Sequence, residues 1–163
     1  MNTLIIARHG IYNSRTGQLY DIGQDQIKAL GREIKEKFLN GGGIVPRILS
    51  STAPRAIESA EIVGSIVGVS EIEFHDTLWT GPDSPRGDEV DTLGGVLLIK
   101  KKDAPVIILV SHLEFSEDLP DAFGQVVLQE PRSTFRRGRL EKGQAWVIDC
   151  QQKSMQRLSP PGT

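Results

Sequence analysis

Cysteine is almost absent: Cys150 is the one residue of its kind in 163. No internal disulfide can form, and a reducing, cytoplasmic setting is the default expectation. Histidine is scarce as well, with three residues, His9, His75 and His112. With no His-Glu-x-x-His stretch and no cysteine pair, no metal cage is evident, and no cofactor is called for. The glycine-rich phosphate loop Gly-x-x-x-x-Gly-Lys-Ser/Thr occurs nowhere. Long apolar runs are missing too. The longest, Val106 to Val110, is far short of the ~20 residues of a membrane helix, and Arg8 breaks the first run too early for a secretory signal. Charge is nearly balanced, at a net -2 with a pI of about 5.9. That excludes nucleic acid or an anionic membrane as the main partner.

What the chain does have is alternation. The length suits one domain spanning 1–163. Leu4 to Ala7 reads as a buried strand, and Ile11 to Tyr20 as a loop. In Gln26 to Leu39, Ile27, Leu30, Ile34 and Phe38 recur at helical spacing, and Asn40-Gly41-Gly42-Gly43 stops the helix. Ile44 to Leu49 is a second strand. Ser51 or Thr52 can cap the next helix, which tolerates Pro54 in its first turn and runs to Gly68. Ile72 to Phe74 is a short strand, and His75 to Gly87 is turn-rich. Asp88 then opens a helix with Val90, Leu93, Val96 and Leu97 inward. Pro105 to Val110 is apolar and β-branched, as a central parallel strand should be. Leu113 to Ala122 reads as a short helix, Gln125 to Glu130 and Arg139 to Leu140 as edge strands, and Gln144 to Asp149 as the last strand. From Gln151 the chain is a polar, surface-lying tail, 151–163. The expected fold is a three-layer α/β/α arrangement with a mostly parallel sheet.

In such sheets ligands bind beyond the carboxyl ends of the strands. Three stretches end apolar runs there with charged or imidazole groups: Arg8-His9-Gly10, Ser50-Ser51-Thr52-Ala53-Pro54-Arg55 and Ser111-His112. A phosphate monoester carries close to two negative charges at neutral pH. Two arginines can hold its oxygens in bidentate geometry, and the start of the second helix adds N–H donors. One charge pair at about 4 Å and an effective ε near 20 is worth roughly 4 kcal/mol before desolvation. Guanidinium charge beside an imidazole keeps the ring neutral and nucleophilic.

Taken together, these stretches resemble the histidine phosphatase superfamily, the phosphoglycerate-mutase-like group. Arg8-His9-Gly10 matches its signature triplet. Gly23 to Gly31 is similar to its Gly-x-x-Gln-Ala-x-x-Leu-Gly helix, Ser50 to Ala60 to its arginine segment, and Val110-Ser111-His112 to its second-histidine strand end. The resemblance implies a nucleophilic His9, a phosphate pocket of Arg8, Arg55 and His112, and a phosphohistidine intermediate. The short length, the stretch Gly81 to Asp88 and the ending Leu158-Ser159-Pro160 look most like small bacterial phosphohistidine phosphatases. Where many members carry a glutamate soon after the triplet, this chain has Ile11-Tyr12. Where many carry a general-acid glutamate, two residues after the position matched by Leu78, it has Thr80.

Asp83, Asp88 and Glu89 are the carboxylates that loop offers instead. Asp88, with Asp91 three residues on, also reads as a helix cap. The implied activity is metal-independent hydrolysis of phosphohistidine on a phosphoprotein or of a phosphorylated small molecule. A phosphate-binding module without an acid, or a phosphosugar mutase, would fit the same pocket. His75 reads as structural. Cys150 has no Cys-x-x-x-x-x-Arg partner. Arg132, Arg136, Arg137 and Arg139, beside Phe135, read as a solvated face or a dock for an acidic partner. Oligomeric state is not legible.

Overall fold

The computed structural model describes residues 1–161; Gly162 and Thr163, the end of the expected tail, lie outside the described residues. Strand β1 (Thr3–Arg8) leads to helix α1 (Asp21–Phe38), then β2 (Arg47–Ser51), α2 (Pro54–Val67) and β3 (Ile72–His75). A single 3-10 turn, Asp76–Leu78, comes next, then α3 (Thr92–Lys100), β4 (Val106–Ser111), α4 (Leu113–Val126), β5 (Ala145–Asp149) and β6 (Ser154–Leu158).

The six strands form one sheet in the order β3-β2-β4-β1-β5-β6. β3, β2, β4 and β1 run parallel, while β5 pairs antiparallel with both β1 and β6. Side chains alternate across a pleated strand, and the two cores obey that alternation. Leu4, Ile6, Ile107 and Leu109 face α3 and α4 with Phe115, Leu119 and Phe123. Ile5, Ala7, Ile108 and Val110 face α1 and α2 with Ile27, Leu30, Ala60 and Val63. β4 is buried along its whole length, which is why its sequence shows an unbroken apolar run rather than alternation.

Several expected elements shift. β2 begins at Arg47 rather than Ile44, because Pro46 has no N–H for the ladder; Val45 is left 67% exposed. The residue before α2 is Ala53, not Ser51 or Thr52, and Ser51 Oγ instead accepts the Ala53 N–H at 3.1 Å. α3 opens at Thr92, capped by Asp91, whose carboxylate accepts the Gly94 N–H at 2.8 Å. Asp88 lies in the turn before it. The later start rotates the buried face to Gly95, Val96 and Ile99 and leaves Leu93 and Leu97 outside. Gln125 to Glu130 is the end of α4 and a turn, not a strand, and Arg139 to Leu140 is irregular. The polar tail contains β6. Only Leu158 of that strand is buried, so its backbone pairing with β5 leaves little apolar pattern to read. Of the arginine run, Arg136 and Arg139 reach Asp118 and Glu117 on α4, at 3.9 and 3.1 Å. Phe135 beside them packs against Gly124 in the core.

One close approach fixes the path of the chain beyond β1. It turns at Gly10 and runs directly against the first turn of α1. A Cβ on Gly10 would meet the Gly23 carbonyl oxygen at 2.5 Å, and one on Gly23 would collide with the Ile11 backbone. Neither neighbour is a flexible side chain, so nothing can yield cheaply. Gly23→Ala is expected to cost about 1–3 kcal/mol or more by overpacking. Gly41→Ala, where an added Cβ meets nothing, serves as the control. Urea denaturation should give a lower midpoint for the first and an unchanged one for the second.

Candidate active site

The parallel strands β1, β2 and β4 end on one edge of the sheet, and the chain places Arg8-His9, Ser51 to Arg55 and His112 directly after them. A cavity of about 430 Å³ opens there, and Arg8, His9, Arg55, Asp83 and His112 all line it. Asp88 is exposed and does not line it.

His9 is buried, and its Nδ1 lies 2.8 Å from the Gly10 carbonyl oxygen. A carbonyl only accepts, so Nδ1 carries the proton and donates it. Nε2 is left with a lone pair, and it accepts a 3.3 Å hydrogen bond from Arg55 Nε. Burial first, then the charges of Arg55 and Arg8, push the His9 pKa down to about 3, against the pull of the Gly10 bond. The ring is therefore neutral across the physiological range. Gly10 itself is tied down: its N–H donates to Ser59 Oγ at 3.3 Å, and that hydroxyl donates to the Arg55 carbonyl. The Ile11 N–H donates to Gln26 on α1 at 3.1 Å.

Arg55 is the second residue of α2 and is 3% exposed. Its Nε faces His9, its Nη2 lies 3.3 Å from His112 Nδ1, and both terminal nitrogens donate to Asp83, at 2.5 and 2.9 Å. The Arg55 hydrogen bonds, aided by the Trp79 indole, hold the Asp83 carboxyl below its usual range. The guanidinium also lies over the Tyr12 ring, 4.6 Å from its centre.

The helix start itself offers less than the sequence promised. Pro54 has no N–H, and those of Ala56 and Ile57 both go to the Ala53 carbonyl.

Arg8 donates through Nη1 to the Leu140 carbonyl at 2.7 Å. Its Nε is buried with no hydrogen-bond partner among the described residues, a donor awaiting an acceptor. His112 is buried too, and burial, His9 and Arg55 hold its pKa well below the ordinary value. Its Nε2 lies 2.8 Å from Ser51 Oγ. A guanidinium only donates, so His112 Nδ1 accepts from Arg55 Nη2 and the proton on Nε2 is donated to Ser51 Oγ.

Sequence reasoning missed three of the lining side chains. Tyr12 stacks edge-on against His9, with ring centres 5.1 Å apart. Lys142 reaches the cavity from the turn before β5, and burial plus the charges of Arg8 and Arg55 lower its pKa. Glu114, in the first turn of α4, accepts a 2.8 Å hydrogen bond from the buried Thr80 hydroxyl. Glu114 follows His112 by two residues, a spacing that could have flagged it. Lys142 had no such signal, being delivered by an irregular loop. Among the described residues, no three His, Cys, Asp or Glu side chains gather to hold a metal ion, and no helix is long and apolar enough to cross a membrane.

No protein-family model and no curated protein matches the sequence. Solved structures do match in shape. A protein histidine phosphatase SixA, complexed with tungstate, superposes with a TM-score of 0.65 at 18% identity, covering 97% of each chain. The fold is that of a histidine phosphatase. A mycobacterial glucosyl-3-phosphoglycerate phosphatase, complexed with VO3, is similar over 100% of each chain, with a TM-score of 0.63 at 15% identity. Mycobacterial hydrolase 1 is similar over 90% of this chain and 91% of its own, with a TM-score of 0.60 at 16% identity. At these identities the likeness is one of architecture, and the chemistry is argued from the side chains.

Both imidazoles are neutral when folded and bind a proton near pH 6.5 when unfolded. The unfolded state therefore holds more protons below that pH, so stability rises with pH there. Acidification from about 6.5 towards 3 should destabilise the fold by up to about 1.4 kcal/mol per pH unit through His9, with His112 acting in the same direction. His9→Asn and His112→Asn should each flatten that slope. Denaturant titrations at a series of pH values, in phosphate-free buffer, measure it.

Proposed function

We propose that the protein is a metal-independent phosphatase working by double displacement through a phosphohistidine on His9. The observation that carries this is the pairing at one point of an uncharged, buried Nε2 lone pair with a guanidinium aimed at it. A lone pair answered by a cation has no use for a cationic ligand. It suits an anion with an electrophilic centre, whose oxygens take the guanidinium while the centre takes the lone pair. Phosphoryl groups have that form.

Arg55 and the unpartnered Nε of Arg8 would hold the oxygens, with His112 donating a third hydrogen bond once its Nδ1 takes up a proton beside the anion. Asp83 pairs with both terminal nitrogens of Arg55, so an arriving phosphoryl group must displace it. Asp83 sits on a turn and is half-exposed, and leaving costs it little desolvation. Arg8 and Lys142 add positive charge to the lining, which favours a dianionic phosphoryl group. The tungstate and VO3 carried by two of the structural neighbours are oxyanions, in keeping with that preference. The substrate class is phosphohistidine on a protein or a small phosphate monoester.

p-Nitrophenyl phosphate should turn over in the presence of a chelator, and His9→Ala should abolish turnover by at least about 10⁴-fold. Quenching during turnover should trap an acid-labile phosphoenzyme on His9, seen by peptide mass spectrometry. Phosphate binding without turnover would mark a binding module instead. Asp83→Asn removes the resident counter-ion of Arg55, so inorganic phosphate should bind more tightly by titration calorimetry.

A further inference from the structure

We infer that Glu114 is the proton donor of this site, protonating the leaving oxygen as His9 takes the phosphoryl group. The inference rests on the phosphohistidine route proposed above and adds the group that extends it to unactivated esters.

Two carboxyl groups line the cavity, Asp83 and Glu114, and their partners differ in kind. Asp83 is contacted by Arg55 and by the Trp79 indole. Both partners can only donate, so they serve a carboxylate and penalise a carboxyl. The depressed pKa of Asp83 results from that. Glu114 is contacted instead by a neutral hydroxyl, Thr80 Oγ1, at 2.8 Å. A hydroxyl accepts from a carboxyl as readily as it donates to a carboxylate. Thr80 is 1% exposed, so its contact with Glu114 survives in both protonation states, and the charge of Arg8 also acts on Glu114.

The placement is equally specific. Thr80 stands where the resemblance led one to look for an acidic side chain, and it holds a carboxyl group brought from another element. Glu114 follows His112 by two residues in the first turn of α4, so the strand tip that delivers the second histidine delivers the carboxyl with it. A carboxyl beside a dianionic phosphoryl group retains its proton more readily, because like charge disfavours ionisation.

The steps balance. The Nε2 pair of His9 forms a bond to phosphorus as the bond from phosphorus to the leaving oxygen breaks. The pair released to that oxygen takes the proton of Glu114. The resulting carboxylate removes a proton from water as the water oxygen attacks the phosphohistidine. The P–N bond breaks, its pair returns to Nε2, and Glu114 is again a carboxyl.

Two substrates separate the outcomes. p-Nitrophenolate leaves without protonation, whereas the alkoxide of glycerol 2-phosphate does not. Glu114→Gln should lower kcat/KM for glycerol 2-phosphate by about 10²-fold or more and kcat/KM for p-nitrophenyl phosphate far less, since that ratio leaves out the later water step; the retained reaction also shows that the variant folds. Asp83→Asn should move both substrates by the same factor. Equal loss on both substrates in Glu114→Gln, no loss on either, or the selective loss appearing in Asp83→Asn overturns the role of Glu114 and leaves the phosphatase intact. A wild-type chain that hydrolyses only the aryl ester also overturns it. Hydrolysis of neither ester would remove the phosphatase itself and Glu114 with it.

Discussion

Arg55 is a full positive charge nearly sealed from water, and the site is arranged around that fact. Burying a guanidinium is tolerable only when every face is answered. Here one edge faces the His9 lone pair, another meets His112, the fork meets Asp83, and the flat face lies on Tyr12. Four of these five groups belong to segments after different strands, so the charge ties the strand tips together. Three of the answers are neutral and permanent. The fourth, Asp83, is an anion on a half-exposed turn, and it is the one that a second anion can replace.

The fold supplies the rigidity this needs. His9 follows β1 without slack, because Gly10 is pressed between Gly23 and Ser59. The loop from Ile11 to Tyr20 is held at both ends, by Gln26 and by Glu58, which accepts from the Leu19 N–H and from Gln24. α1 and α2 thus clamp the loop that follows His9 against the core that α2 shares with Arg55. The lone pair and the guanidinium are therefore set by the same packing.

Most of this was legible in the sequence because it depends on short-range signals. Apolar runs marked β1 and β4, helical spacing marked α1 and α2, and the groups just beyond each strand marked Arg8, His9, Arg55 and His112. What failed depended on long-range pairing or on a cap. β6 is stabilised by β5 and by Arg157 stacked on Trp146, neither visible in a polar stretch. The start of α3 turned on which of two aspartates reached an N–H. Gln125 to Glu130 has strand-like composition, but α4 runs on into it as far as Val126, and Phe123 before and Leu128 after that end are buried in the core. Lys142 and Thr80 come to the cavity on irregular segments, whose course no periodicity describes.

The contacts of the ionisable groups divide by chemistry. Asp83 is met by donors that cannot accept. His9 Nδ1 is met by a carbonyl that cannot donate, which pins one tautomer. Glu114, by contrast, is met by a buried hydroxyl, Thr80, while His112 is met by a hydroxyl, Ser51, at Nε2 and by the donor-only Arg55 at Nδ1. A one-way partner fixes a protonation state, and a two-way partner permits it to change without breaking the contact. Asp83 and His9 are therefore fixed, His112 is fixed as long as Arg55 faces it, and Glu114 keeps its hydroxyl contact with or without a proton. A buried Ser or Thr against an ionisable side chain in such a cavity is thus better read as a proton-tolerant support than as a filled polar gap.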